Sequence, residues 1–131
     1  MYTENTIFGD SRVNTILDRV LYELAAAVPD FNPAAHIVLT GRAAAELQGE
    51  DPALCNNVIL LTSNADVQAY VQNGLSKKIG ATGAARFVDR TIFYFEDYLH
   101  LEIWYQAALI KTVATHGIYV QDISEINPIL L

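Results

Sequence analysis

The spacing of apolar residues changes along the chain, and this change is the strongest constraint on its fold. Residues 10–28 carry apolar residues at helical spacing, followed by Pro29 and Pro33, which stop a helix. After the glycine-bearing stretch "GATGAAR" (80–86), which is expected to be a connection, apolar and polar residues alternate with period two. The segments with this alternation are "ARFVDRT", "IFYFED" and "LHLEIWYQ" (99–106). The chain therefore begins with helices and ends with strands.

The middle of the chain alternates between the two types of element. "HIVLT" (36–40) predicts a strand, "RAAAELQG" (42–49) a helix, and "NVILLT" (57–62) a strand apolar enough to be buried on both faces. A helix capped by Ser63 or Asn64 follows, weakened at Gly74 and ended by Gly80. "KTVAT" and "GIYVQD" are weaker strand candidates, and "ISEIN" predicts a short helix. This order predicts an α/β (α+β) fold, with a mixed β-sheet packed against helices, in one domain over residues 1–131.

Charge and composition exclude several classes of function. The net charge is −7, and only eight lysines and arginines are present, so the basic surface that a nucleic-acid-binding protein needs is not expected. One cysteine excludes an intramolecular disulfide, and no signal peptide or membrane-spanning run is visible, so a cytoplasmic protein without membrane contact is expected. The hydrophobic fraction of 52% and mean hydropathy of +0.21 are high for 131 residues and predict a homo-oligomer or another protein partner.

The stretch "HIVLTGRAAAELQG…CNNVILLTS…YLHLEIWY" resembles the core of the nucleotidyltransferase superfamily, in particular small minimal nucleotidyltransferases that include bacterial antitoxins. In that family a strand ends in a Gly-Gly or Gly-Ser turn, the next strand carries Asp-x-Asp, and a later strand carries a third carboxylate. The resemblance in element order covers residues 10–122. It implies a nucleotide site in which carboxylates hold divalent metals that bridge the triphosphate and the attacking group.

The resemblance places five residues at this site, but the motif is degenerate. Gly41 matches the first glycine, and Arg42 stands where the second glycine or serine belongs. Asn57 falls at the first aspartate, Ile59 at the second and Glu102 near the third carboxylate. A two-metal site cannot be assembled from these residues, so the resemblance implies a catalytically inactive domain that binds a nucleotide or a protein. No cofactor is expected, and Mg²⁺ only if the chain is an active enzyme.

Other interpretations of the same residues remain open. Asn56 and Asn57 also suit the entry of a loop into a strand, where asparagine satisfies its own backbone. Arg42 suits a phosphate at a helix start, or an ion pair with Glu46. Cys55 is expected to be structural. The aromatic residues are expected to form core and sheet surface and part of an interface: Phe93, Tyr94, Phe95, Tyr98, Trp104 and Tyr105.

Two alternatives would make the protein an enzyme. An active Mg²⁺-dependent nucleotidyltransferase would use atypical carboxylates, chosen from Asp51, Asp66, Asp89, Glu96 and Asp97. A small acid–base or metal enzyme would instead use His100 and Glu102, which share one face of a predicted strand, together with His36.

Overall fold

The computed structural model describes residues 11–32, 36–49, 57–106, 112–115 and 118–126. The helices are α1 (Ser11–Ala27), α2 (Gly41–Leu47), α3 (Ala65–Asn73) and α4 (Leu75–Lys78). The strands are β1 (Val38–Thr40), β2 (Asn57–Thr62), β3 (Gly83–Arg86), β4 (Arg90–Tyr94), β5 (His100–Tyr105), β6 (Thr112–Thr115) and β7 (Ile118–Gln121). Two short 3₁₀ helices span Glu96–Tyr98 and Ile123–Glu125.

The strands form one mixed sheet in the order β3-β4-β5-β2-β1-β7-β6. The central strand β2 runs parallel to β5 and antiparallel to β1, while β1 runs parallel to β7. The hairpins β3–β4 and β6–β7 complete the two ends. This arrangement confirms the predicted α/β (α+β) class with a mixed sheet packed against helices.

The main hydrophobic core lies between the helices and one face of the sheet. The helical period of α1 directs Val13, Leu17, Val20 and Leu24 inwards, and all four are buried. The alanines of α2 and the apolar residues of α3 and α4 join the same core. The strands contribute every second residue to it: Leu39, Val58, Leu60, Phe93, Leu101, Ile103 and Val120.

The alternate strand residues point to the opposite side of the sheet, which we call the second face. Val38, Ile59 and Leu61 form a separate buried cluster there, against which Trp104 packs. The second face is defined by the side chains of Val38, Thr40, Asn57, Ile59, Leu61, Arg90, Ile92, Tyr94, His100, Glu102 and Trp104.

The structure corrects the sequence analysis between residues 63 and 94. The helix capped by Asn64 divides at Gly74 into α3 and α4. "GATGAAR" is not only a connection, because its last four residues form β3. "ARFVDRT" is not one strand, because a tight turn closes at Phe87, whose N–H donates to the carbonyl of Arg90 over 2.8 Å.

Three smaller outcomes complete the comparison. "ISEIN" forms only a 3₁₀ turn, in which the backbone N–H of Ser124 donates to the carboxylate of Asp122. Among the described residues, no helix has both the length and the apolar character needed to cross a membrane. Cys55, Asn56 and Asp51 lie outside the described residues, and the single domain over residues 1–131 stays a prediction.

Candidate functional site

Three adjacent strands bring the predicted site residues to one region of the sheet. Ile59 in β2 lies between Thr40 in β1 and Glu102 in β5, with both of which it is in register. Gly41 follows Thr40 directly and begins α2 with a φ of 72°, a left-handed conformation that favours glycine. Glu102 lies on the same face as Asn57. The structure thus brings Gly41, Ile59 and Glu102 to neighbouring positions on three adjacent strands, while their assignment to a nucleotidyltransferase site stays a prediction.

Glu102 is the one acidic residue of this set, and its carboxylate is held by neighbouring side chains. Asn57 Nδ2 donates to Glu102 Oε2 over 2.7 Å. Trp104 Nε1 donates to Glu102 Oε1 over 2.8 Å. The Glu102 side chain is only 12% exposed, so these two donors replace most of the water that a free carboxylate would bind.

Arg90 supplies the positive charge next to Glu102. Its Nη1 lies 3.8 Å from Glu102 Oε1, and its guanidinium carbon lies 3.9 Å from the centre of the Trp104 ring. Stacking on the indole is favourable for a guanidinium and fixes the plane of the group. The Nε of Arg90 also lies 3.3 Å from Asp89 Oδ1. Arg90 thus contacts the Trp104 ring and lies beside the carboxylates of both Glu102 and Asp89.

The position of the family's second aspartate is closed to polar chemistry. Ile59 is 2% exposed and packs with Val38 and Leu61. An aliphatic side chain offers no metal ligand, and its neighbours in this cluster are equally apolar. Asn57, at the first aspartate position, uses its amide N–H to bind Glu102. Of the three positions that carry metal ligands in the family, none presents an uncommitted carboxylate.

The three-residue set of His36, His100 and Glu102 is not brought together. His100 is in register with Asn57 at the start of β2, and its ring meets that of Tyr94 edge-on at 4.9 Å. His36 precedes β1, which runs antiparallel to β2, so it lies near the end of β2 that is opposite to Asn57. At 3.3 Å per residue, this places His36 roughly 20 Å from His100 along the strands. There the His36 Nδ1 accepts from the backbone N–H of Asn32. His36 therefore takes no part in a site with Glu102.

The alternative carboxylates are dispersed. Asp66 is exposed in the first turn of α3, and Asp89 is exposed in the β3–β4 turn. Glu96 is exposed after β4, the side chain of Asp97 is not described, and Asp51 lies outside the described residues. Within the described part of the chain, no three histidine, cysteine, aspartate or glutamate side chains are grouped so that they could hold a metal ion.

The sequence analysis missed Arg90 on the second face and a cleft on the helical side of the sheet. Arg90 was not singled out, because its partners Trp104 and Glu102 are distant in sequence and only the β4–β5 register brings them together. A cleft of about 390 Å³ between the start of α1 and the loops before β3 and β5 was also missed. Its lining includes Arg12, Thr82 and Glu96, and no sequence motif marks it.

Comparison with known proteins adds no relative: no protein-family model matches the chain, and neither a curated protein nor a solved structure shows a match to it.

Proposed function

We propose that this protein is a nucleotidyltransferase-like domain without a catalytic metal site, which acts by binding a nucleotide or a protein partner and does not transfer nucleotides. The observation that carries this proposal is the state of Glu102. Its two oxygens accept hydrogen bonds from Asn57 and Trp104, and Arg90 lies beside it.

Nucleotidyl transfer needs divalent cations that neutralise the triphosphate and activate the attacking oxygen. Magnesium requires near-octahedral oxygen ligands and is usually held by one or two carboxylates together with phosphates and water. To bind such a cation, Glu102 would have to do so through the lone pairs that Asn57 and Trp104 leave, and it would have to tolerate the nearby positive charge of Arg90. Ile59 would contribute nothing in return. Within the same group of residues, the charge of Glu102 is instead paired with that of Arg90.

A binding role uses what this surface still offers. Arg90 and Trp104 present a stacked cation and aromatic ring, and Arg42 follows Gly41 at the edge of the same region. A guanidinium suits a phosphate group, and an aromatic ring suits a base or an apolar side chain. Metal-free binding of a nucleotide phosphate through Arg42 is the simplest such role.

Thermal unfolding of the purified protein with ATP, GTP, CTP and UTP tests the proposal, each with Mg²⁺ and with a chelator. A ligand that binds only the folded state at a hundred times its Kd adds about 2.7 kcal/mol of stability, which raises the melting temperature measurably. We expect at least one nucleotide to stabilise the protein equally well without Mg²⁺. A stabilisation that requires Mg²⁺ would contradict the proposal, and no stabilisation by any nucleotide would leave a protein partner as the ligand.

Two variants locate the response. Arg42→Ala should reduce the nucleotide-dependent shift, whereas Lys77→Ala, which removes an exposed cation in the last turn of α4, should leave it unchanged. Equal loss in both variants would indicate attraction by overall charge and no specific site.

A further inference from the structure

The outer edge of β3 is a pairing surface whose geometry follows from the hydrogen bonds on its inner side. The N–H of Phe87 donates to the carbonyl of Arg90, which makes these two residues a hydrogen-bonded pair of the hairpin. Such pairs alternate along an antiparallel ladder, so Ala85 and Gly83 also direct their backbone groups towards β4. The backbone N–H and C=O of Ala84 and Arg86 therefore point away from the sheet.

Apart from its short length of four residues, this edge carries few of the devices that prevent pairing. Natural edge strands are protected by proline, by bulges or by charged side chains that obstruct the approach of another strand. β3 has the sequence Gly-Ala-Ala-Arg, and its one charged side chain turns back over α3, where Arg86 Nε donates to the carbonyl of Gln72. At the adjoining turn, Phe87 is 51% exposed and Val88 is 99% exposed.

We propose that two copies of this chain associate through β3, antiparallel, about a two-fold axis that passes between their Ala85 residues. In this register Ala84 of one copy faces Arg86 of the other, and the outward backbone groups of each such pair form two hydrogen bonds. The two sheets become one continuous sheet, and the association is isologous, so it closes as a dimer.

The side chains favour a second copy in this register over a foreign strand. Phe87 of one copy faces Gly83 of the other, so the bulky exposed ring meets the residue that has no side chain. That ring also lies beside Tyr94, which is the hairpin partner of Gly83. The neighbouring register, centred on Ala84, would need the N–H of Thr82, which already donates to the carbonyl of Tyr94 over 2.8 Å. The strand is therefore complementary to itself in one register.

The charge distribution is compatible with this contact. Arg86 is the one charged residue of β3, and its guanidinium lies at the last carbonyls of α3, the negative end of that helix. In the dimer, Arg86 of each copy would lie opposite Ala84 of the other, so the two arginines would not lie opposite each other. The high mean hydropathy of the chain, +0.21, agrees with apolar surface that a second copy covers.

Analytical ultracentrifugation over a range of concentrations tests the association. The wild-type mass should rise from 14.5 kDa towards twice that value. Ala85→Asp should hold the protein at the monomer mass, because residue 85 faces itself across the two-fold axis and the substitution places two like charges directly opposite each other, while circular dichroism stays that of the wild type. Tyr22→Asp is the matched control, since Tyr22 is 68% exposed on α1, and it should dimerise like the wild type. A wild type that stays monomeric at every concentration would overturn the proposal.

Cysteine cross-linking tests the register independently of affinity. In a Cys55→Ser background, Ala85→Cys should oxidise to a covalent dimer, because residues that face themselves across a non-hydrogen-bonded pair lie about 4.5 Å apart at Cα, within disulfide range. Ala84→Cys should form far less covalent dimer, because its counterpart lies diagonally, about 7–8 Å away. Cross-linking at residue 84 but not at 85, or at neither, would refute this register.

Discussion

Replacing Asn57 by aspartate is the sharpest test of how Glu102 is held. In the wild type the Asn57 amide donates to Glu102 Oε2 over 2.7 Å. Asn57→Asp keeps the size of the side chain but replaces this donor by a second carboxylate. It also restores the carboxylate that the nucleotidyltransferase resemblance expects at this position. If Glu102 were part of a metal site, the change would be harmless or beneficial.

The size of the effect follows from the contacts that change. A hydrogen bond to a charged acceptor contributes about 1.5–3 kcal/mol. The new carboxylate at residue 57 and that of Glu102, about 4 Å apart, would repel each other by up to roughly 4 kcal/mol at an effective dielectric constant of 20. A proton bound by the pair would limit this cost. We expect Asn57→Asp to lower the free energy of unfolding by about 3–5 kcal/mol. For a domain of this size each kcal/mol shifts the melting temperature by roughly 4 °C.

Urea denaturation followed by circular dichroism measures this loss. The matched control is Asn73→Asp, an exposed asparagine whose Nδ2 donates to the Ala69 carbonyl near the end of α3. The control should cost about 1 kcal/mol or less, because its new charge is solvated. The loss in Asn57→Asp should shrink in acid, where a proton shared between the two carboxyl groups restores a hydrogen bond. Wild-type stability of Asn57→Asp at neutral pH would refute this account of Glu102.

Three further changes test the fold. Asn64→Ala removes the side-chain cap of α3 and should cost about 1 kcal/mol in urea denaturation. Thr40→Val leaves the side-chain amide oxygen of buried Gln121, Oε1, without its hydroxyl donor and should cost about 1–3 kcal/mol, whereas adding Gln121→Leu should recover part of that loss. Burial raises the pKa of Tyr70 above its ordinary value of 10.0, so its contribution to stability is complete below pH 10.0 and is lost as the pH rises through the folded-state value. Tyr70→Phe should therefore lose less stability than the wild type between neutral and strongly alkaline pH, as measured by thermal unfolding.

The sequence predicts those elements whose signal is local. Helix α1 carries apolar residues at most positions of its inward face, with buried Asn14 as a polar exception, and β2 is a nearly continuous apolar run. β3 was not predicted, because Gly-Ala-Ala-Arg has little intrinsic preference for a strand and its structure depends on pairing with β4. The sequence indicated that Gly74 would weaken the helix after β2, but it did not indicate that the helix would divide there into α3 and α4.

The candidate site was predictable in position but not in its internal contacts. Alternation along β5 places Glu102 and Trp104 on one face, which the sequence shows directly. The bond from Asn57 to Glu102 joins residues 45 apart in the chain and depends on the parallel pairing of β2 with β5. The exclusion of His36 depends on the antiparallel direction of β1, which no local pattern specifies.

Manganese binding to the wild-type protein tests most directly whether the Glu102 region lacks a divalent-metal site. Electron paramagnetic resonance distinguishes free Mn²⁺ from bound Mn²⁺, and titration gives the number of ions bound to each chain. We predict that the wild type and Glu102→Gln bind the same number of Mn²⁺ ions, both with and without ATP. One Mn²⁺ for each wild-type chain, absent in Glu102→Gln, would show that this carboxylate holds a metal, and would contradict the proposed non-catalytic role.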